Sequence, residues 1–112
     1  MIRLTPTQLS DIQSLVENPA VDQTGVDFQG NGLMKVTIIS KLDADREDID
    51  KVLQQIFPGM EYRGTVGVEV SNGELYEFYF IDWNGETLIN LLMKKAPVGA
   101  EAEKKYPNLI VP

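Results

Sequence analysis

Residues 65–81 read TVGVEVSNGELYEFYFI and encode a β-hairpin. Two β-rich runs, 65–70 and 75–81, flank Ser71-Asn72-Gly73-Glu74. A two-residue type I′ turn needs positive φ at both central positions, and Asn-Gly tolerates this best. The turn sets the register. Val70 opposes Leu75, Val68 opposes Glu77 and Val66 opposes Tyr79 on one face. Glu69 opposes Tyr76, Gly67 opposes Phe78 and Thr65 opposes Phe80 on the other. Each face then carries large apolar groups, so neither is suited to face water alone. One face is expected to take an amphipathic helix. The face with Tyr76, Phe78 and Phe80 needs a second cover: the N-terminal helix, the segment after residue 85, or another protein molecule.

Upstream, Ile49, Val52, Leu53, Ile56 and Phe57 recur at helical spacing over residues 46–57, and Pro58-Gly59 ends that helix. Five acids and one base crowd residues 43–50, where the positive end of the helix dipole favours carboxylates. An EF-hand loop beginning at Asp43 would need glycine at Asp48 and a glutamate at Gln54. It has neither, so capping and solubility explain the acids better than calcium.

The N-terminus carries its own helix signal. Thr5-Pro6-Thr7-Gln8 combines a cap, a first-turn proline and a capping box, and Leu4 and Leu9 stand at staple positions. Leu9, Ile12, Leu15 and Val16 share a face until Asn18-Pro19. Residues 18–32 read as loop, with a short hairpin of 26–29 against 33–36 as the alternative. Their glycines open no helix and precede no Lys-Ser or Lys-Thr, so they mark turns and not a phosphate loop.

Residues 33–39 are β-branched and read as a strand. For residues 86–95, leucine and methionine content, a leading acid and two closing lysines favour a helix. Asn84-Gly85 keeps a fourth strand open. Residues 96–112 are expected as an extended tail, with one helical turn over 100–105.

The resulting fold class is α+β: a two-layer sandwich in one domain, 1–112. Its sheet of three to four strands (33–41, 62–70, 74–82) is mainly antiparallel, with residues 46–57 helical on one face and a short N-terminal helix. The 33–41 and 62–70 strands, joined by that helix, are parallel or antiparallel neighbours.

Composition narrows the function. The chain has 112 residues, no His and no Cys. Imidazole or thiolate metal sites, Ser-His and Cys-His nucleophiles and disulfides are therefore excluded within one chain. Among carboxylates, Glu69 and Glu77 point to opposite faces of the hairpin and cannot flank one substrate. Asp82 and Glu86 bracket Trp83, a pattern better explained by a helix cap and a core-edge ring than by a sugar site. No catalytic residue, metal ligand or cofactor is assigned.

The formal charge of −7 opposes general nucleic-acid binding, since the long-range field repels phosphate. No apolar run approaches membrane-spanning length. The start, Met1-Ile2-Arg3-Leu4-Thr5-Pro6, shows no leader, and a soluble cytoplasmic protein is expected. Lys94, Lys95, Lys104 and Lys105 gather toward the C-terminus, the first two as helix-end lysines.

Two functions fit. The first is an acidic, non-enzymatic binding module that occludes a basic protein surface, in the manner of immunity or phage anti-defence inhibitors. Asp43, Asp45, Glu47, Asp48, Glu69 and Glu77 would steer the encounter, and Tyr62 and Tyr76 would anchor it. The second is a self-associating structural subunit, such as a phage particle component, that packs its apolar hairpin face, or the tail Leu109-Ile110-Val111, on another copy.

Overall fold

The computed structural model describes residues 4–28, 32, 34–42, 44–62, 66–83 and 87–108, with backbone alone at 61, 62, 82 and 100–102. In chain order the elements are α1 (Pro6–Ser14), a 3₁₀ turn (Leu15–Glu17), β1 (Val21–Phe28), β2 (Met34–Ser40) and α2 (Arg46–Ile56). There follow β3 (Glu61–Tyr62), β4 (Gly67–Ser71), β5 (Glu74–Trp83), β6 (Thr87–Pro97) and α3 (Ala100–Lys105).

The hairpin forms in the expected register. Gly67 pairs with Phe78, Val68 with Glu77, Glu69 with Tyr76 and Val70 with Leu75. Asn72 and Gly73 take φ of 53° and 74°, the left-handed pair a type I′ turn requires. Gly73→Ala should cost about 1–2 kcal/mol for its left-handed backbone, read as a lower urea midpoint. Crowding plays no part, because an added Cβ meets nothing within 4 Å. The Thr65–Phe80 pair lies outside the described residues.

The α+β class holds, but the sheet is larger and more mixed than expected. Its order is β1-β2-β6-β5-β3, and β4 also pairs with β5, so six strands fill five positions. β2 and β6 are parallel; β1–β2, β3–β5, β4–β5 and β5–β6 are antiparallel. The parallel neighbour of β2 is therefore β6, and the expected 62–70 strand is two pieces along the outer edge of β5.

Two expectations are overturned. Residues 87–97 form a strand, not a helix. As the middle strand, β6 buries Ile89, Leu91 and Met93 on one face and half-buries Leu88 and Leu92 on the other, so apolar residues on both faces blur the alternation into a near-continuous run. Such a run looks alike in strand and helix. Lys94 and Lys95 accordingly meet no helix dipole, and Asp82 caps no helix but lies in β5. Asn84, Gly85 and Glu86 lie outside the described residues.

The second correction concerns residues 21–28, a strand where a loop was expected. β1 is an edge strand, pairing Val26 with Val36 and Phe28 with Met34. It buries one face alone, so its sequence needs little apolar content. The suggested 26–29 hairpin with 33–36 is part of this longer pairing, and Gln29, Gly30, Asn31 and Leu33 lie outside the described residues.

α1 shows the full capping box: the Gln8 N–H donates to Thr5 Oγ1 and the Thr5 N–H to Gln8 Oε1, at 3.1 and 3.0 Å. Asp45 caps α2, accepting the Glu47 N–H. Ile49, Leu53, Ile56 and Phe57 join Ile12 and Leu15 in one core with Val36, Ile38, Tyr79, Ile81, Ile89, Leu91 and Met93. Trp83 closes the core edge, edge-on to Phe57 at 4.9 Å, its indole N–H donating to the Pro58 carbonyl.

Candidate functional site

Strand alternation sorts the sheet into two unlike faces. Met34, Val36, Ile38, Leu75, Tyr79, Ile81, Ile89, Leu91 and Met93 are buried on the face that α1 and α2 cover. On the other face the cross-strand rows can be read from the register. One row runs Gly25, Thr37, Asn90, Phe80; the next runs Gln23, Ile39, Leu92, Phe78, Gly67. Ile39, Phe78, Phe80, Leu88 and Leu92 are all half-buried.

Among the described residues no helix packs on this second face. A methyl group added at Gly25 or Gly67, near its two margins, would meet nothing within 4 Å. The result is a contiguous, half-buried apolar field on one side of the sheet. Charge lies at its ends. Lys35 stands opposite Asp27, and Lys94 pairs with Glu74 at 2.9 Å. The Tyr76 hydroxyl donates to the same carboxylate. Bonds from Lys94 and Tyr76 hold Glu74 below the usual carboxylate range.

In the middle stands Asn90, only 6% exposed. Its Oδ1 is buried without a hydrogen-bond partner among the described residues. Native interiors seldom leave such an atom unpaired.

A polar cluster lies on the helix-covered face. Glu77 is 6% exposed and accepts hydrogen bonds from the hydroxyls of Tyr79, at 2.6 Å, and Tyr106. Lys105 and Lys95 lie 3.7 and 4.0 Å from its Oε1. Burial alone would raise the Glu77 carboxyl, but the two hydroxyls and two ammonium groups outweigh it and hold it below its ordinary range. Burial, and then the bond to Glu77, raises the Tyr106 phenol. The cluster ties α3 and the chain beyond it to β5 and β6. Its hydrogen bonds are spent inside the fold, as befits a structural clasp.

The residues read from sequence as partner contacts are dispersed. Asp45, Glu47 and Asp48 are exposed around the start of α2, in the helical layer. Glu69 and Tyr76 pair across β4 and β5 on the open face, with Glu69 exposed and Tyr76 half-buried. Glu77 points inward. Asp43 and the Tyr62 side chain lie outside the described residues, as does the tail Leu109-Ile110-Val111. Sequence reasoning picked out Phe78 and Phe80 but missed Ile39, Leu88, Asn90 and Leu92, because they join the same face only once residues 87–97 are a strand. Asn84-Gly85 was the signal that could have found them.

A groove between α1 and α2 includes Asp11, Glu17, Asn18 and Gln55 in its lining. Among the described residues no three carboxylates stand close enough to hold a metal ion. Among the described residues no helix is long and apolar enough to cross a membrane. The sequence matches no known protein-family model and no functionally characterised protein, which leaves the geometry and chemistry of these surfaces as the basis for assigning function.

Proposed function

We propose that this chain is a non-catalytic protein-association module whose contact surface is the open face of its sheet. The observation that carries this reading is the field of Ile39, Phe78, Phe80, Leu88 and Leu92, half-buried on a face that no described helix covers. Contiguous apolar surface framed by charge is the usual mark of a protein contact site.

The exposed acids at the start of α2 favour a second reading, in which a basic partner is drawn to the helical layer and occluded. The two differ in location, so a photo-crosslinking residue separates them. Placed at Phe80 and, separately, at Glu47 in the source cells, it should yield protein adducts at Phe80. Adducts confined to Glu47 would transfer the function to the acidic surface, and none at either site would reject both readings. For a basic partner, Asp45→Asn, Glu47→Gln and Asp48→Asn together should slow association about tenfold at low salt. On the sheet-face reading this triple leaves association unchanged.

A further inference from the structure

We infer that the outer edge of β1 is a strand-addition site, which takes an extended, basic segment of a partner protein as one further strand of the sheet. This goes beyond the open-face reading, since it concerns a second surface and either can fail alone.

A sheet edge presents unpaired backbone, and the two edges of this sheet differ. β1 ends one side of the order β1-β2-β6-β5-β3, and no described segment pairs with its far side. About half of its backbone N–H and C=O groups therefore point outward, because the other half bond β2. The opposite edge is broken into β3, of two residues, and β4, of five. β1 runs for eight, VDQTGVDF, without the lysines or prolines that blunt an edge. Its register shift lies at the start, between Val21 and Gln23, so residues 23–28 form an uninterrupted template.

Two positions give this edge selectivity, as side-chain pockets do where a peptide adds to a sheet. On the open side, Gly25 leaves a hollow of about 140 Å³ bounded by Gln23, Thr24, Thr37 and Ile39. That is close to a cavity which admits one benzene ring. A Leu or Phe opposite Gly25 on the incoming strand would lie over the missing side chain and reach Thr37 and Ile39. The same sheet already sets its other marginal glycine, Gly67, opposite Phe78. On the helical side, Phe28 is 73% exposed. An apolar residue beside it falls three positions from the one over Gly25, on the alternate face, as strand geometry requires.

Charge and register choose between occupants. β1 carries Asp22 and Asp27, both exposed, and no cation, within a chain of net charge −7, so basic residues on the added strand are favoured. A second copy fits poorly. Opposed residues share a face, so an antiparallel β1–β1 pair sets Gln23, Gly25 or Asp27 against Gly25 and leaves the hollow unfilled.

The probe is a displayed library of random octapeptides, selected on the full chain at low salt. Selected peptides should carry two large apolar residues three positions apart among Lys or Arg. In the free chain, alternate amides of residues 23–28 should exchange freely with solvent, and bound peptide should slow them. Methylating alternate peptide amides should weaken binding about 100-fold in one phase and little in the other, since one set alone faces β1. That measurement uses the unmodified chain. Gly25→Val fills the hollow without a clash, as an added Cβ meets nothing within 4 Å, and should weaken binding about tenfold.

No selected peptide, indifference to the methylation phase, or protection confined to other strands overturns the inference. So does a free chain whose 23–28 amides are all as protected as those of β2, for the chain itself or a second copy then fills the edge. Failure of the peptides while Phe80 crosslinks a protein in cells removes the edge site and keeps the open face. Edge-bound peptides with no adduct at Phe80 or Glu47 do the reverse.

Discussion

Replacing Phe57 by Ala is expected to lower the unfolding free energy by about 3–5 kcal/mol, most of what a domain of this size holds in reserve. Phe57 is fully buried. It stands just past α2, its N–H donating to the Leu53 carbonyl at 2.7 Å, and its ring meets Trp83 from β5 edge-on. It therefore joins the end of the helix to the sheet, and its loss leaves a cavity between two layers that cannot easily close. Phe57→Leu keeps most of the volume and should cost less than about 1.5 kcal/mol. Urea denaturation measures both. Trp83 is the sole tryptophan, so its fluorescence reports the same junction. A loss below about 1 kcal/mol for Phe57→Ala would show that α2 is not seated as described.

The second large effect belongs to Glu77. Glu77→Ala should cost about 2–3 kcal/mol, because the Tyr79 hydroxyl is left buried without its acceptor and Tyr106 loses the bond that docks α3. The pH dependence follows from the depressed carboxyl. A group with a lower pKa folded than unfolded stabilises the fold above its unfolded value, near 4.5. That contribution disappears as pH falls below this value and through the folded one. Wild type should lose stability in that acid window, and Glu77→Gln should lack this component while retaining one acceptor for a tyrosine. Superimposable stability–pH curves for the two would disprove the clasp. Protease nicking near Lys104 and Lys105 should rise in Glu77→Ala at neutral pH, since α3 is then held less firmly.

The association surface has a different standing from these core contacts. Ile39, Phe78, Phe80, Leu88 and Leu92 are half-buried and contribute less to folding than the fully buried residues of the opposite face. Their chemistry makes sense when something covers them. This is why changes there are expected to alter assembly far more than stability, whereas changes at Phe57 and Glu77 do the reverse.

What could be read from residues alone was whatever short-range physics decides. Asn72-Gly73 favours left-handed backbone in both residues, so the turn and the whole β4–β5 register follow from two adjacent positions. Thr5, Pro6 and Gln8 start α1 by satisfying its first N–H groups locally, and the spacing of Ile49, Leu53 and Ile56 gives α2 its buried stripe. Asn90, Leu88 and Leu92 were hidden for the opposite reason. Residues 87–97 carry helix-favouring leucines and an apolar run without clear alternation, and their strand state comes from pairing with β2 on one side and β5 on the other. Those partners lie more than fifty and about ten residues away along the chain. The edge strand β1 was equally silent, because a strand that buries one face and ends the sheet needs few apolar residues. Local dihedral preference and helical periodicity thus determined the hairpin, the caps and α2. Long-range strand pairing, which turns individual preferences into shared hydrogen bonds and a common face, decided the sheet order, the place of Asn90 at its centre and the side left open.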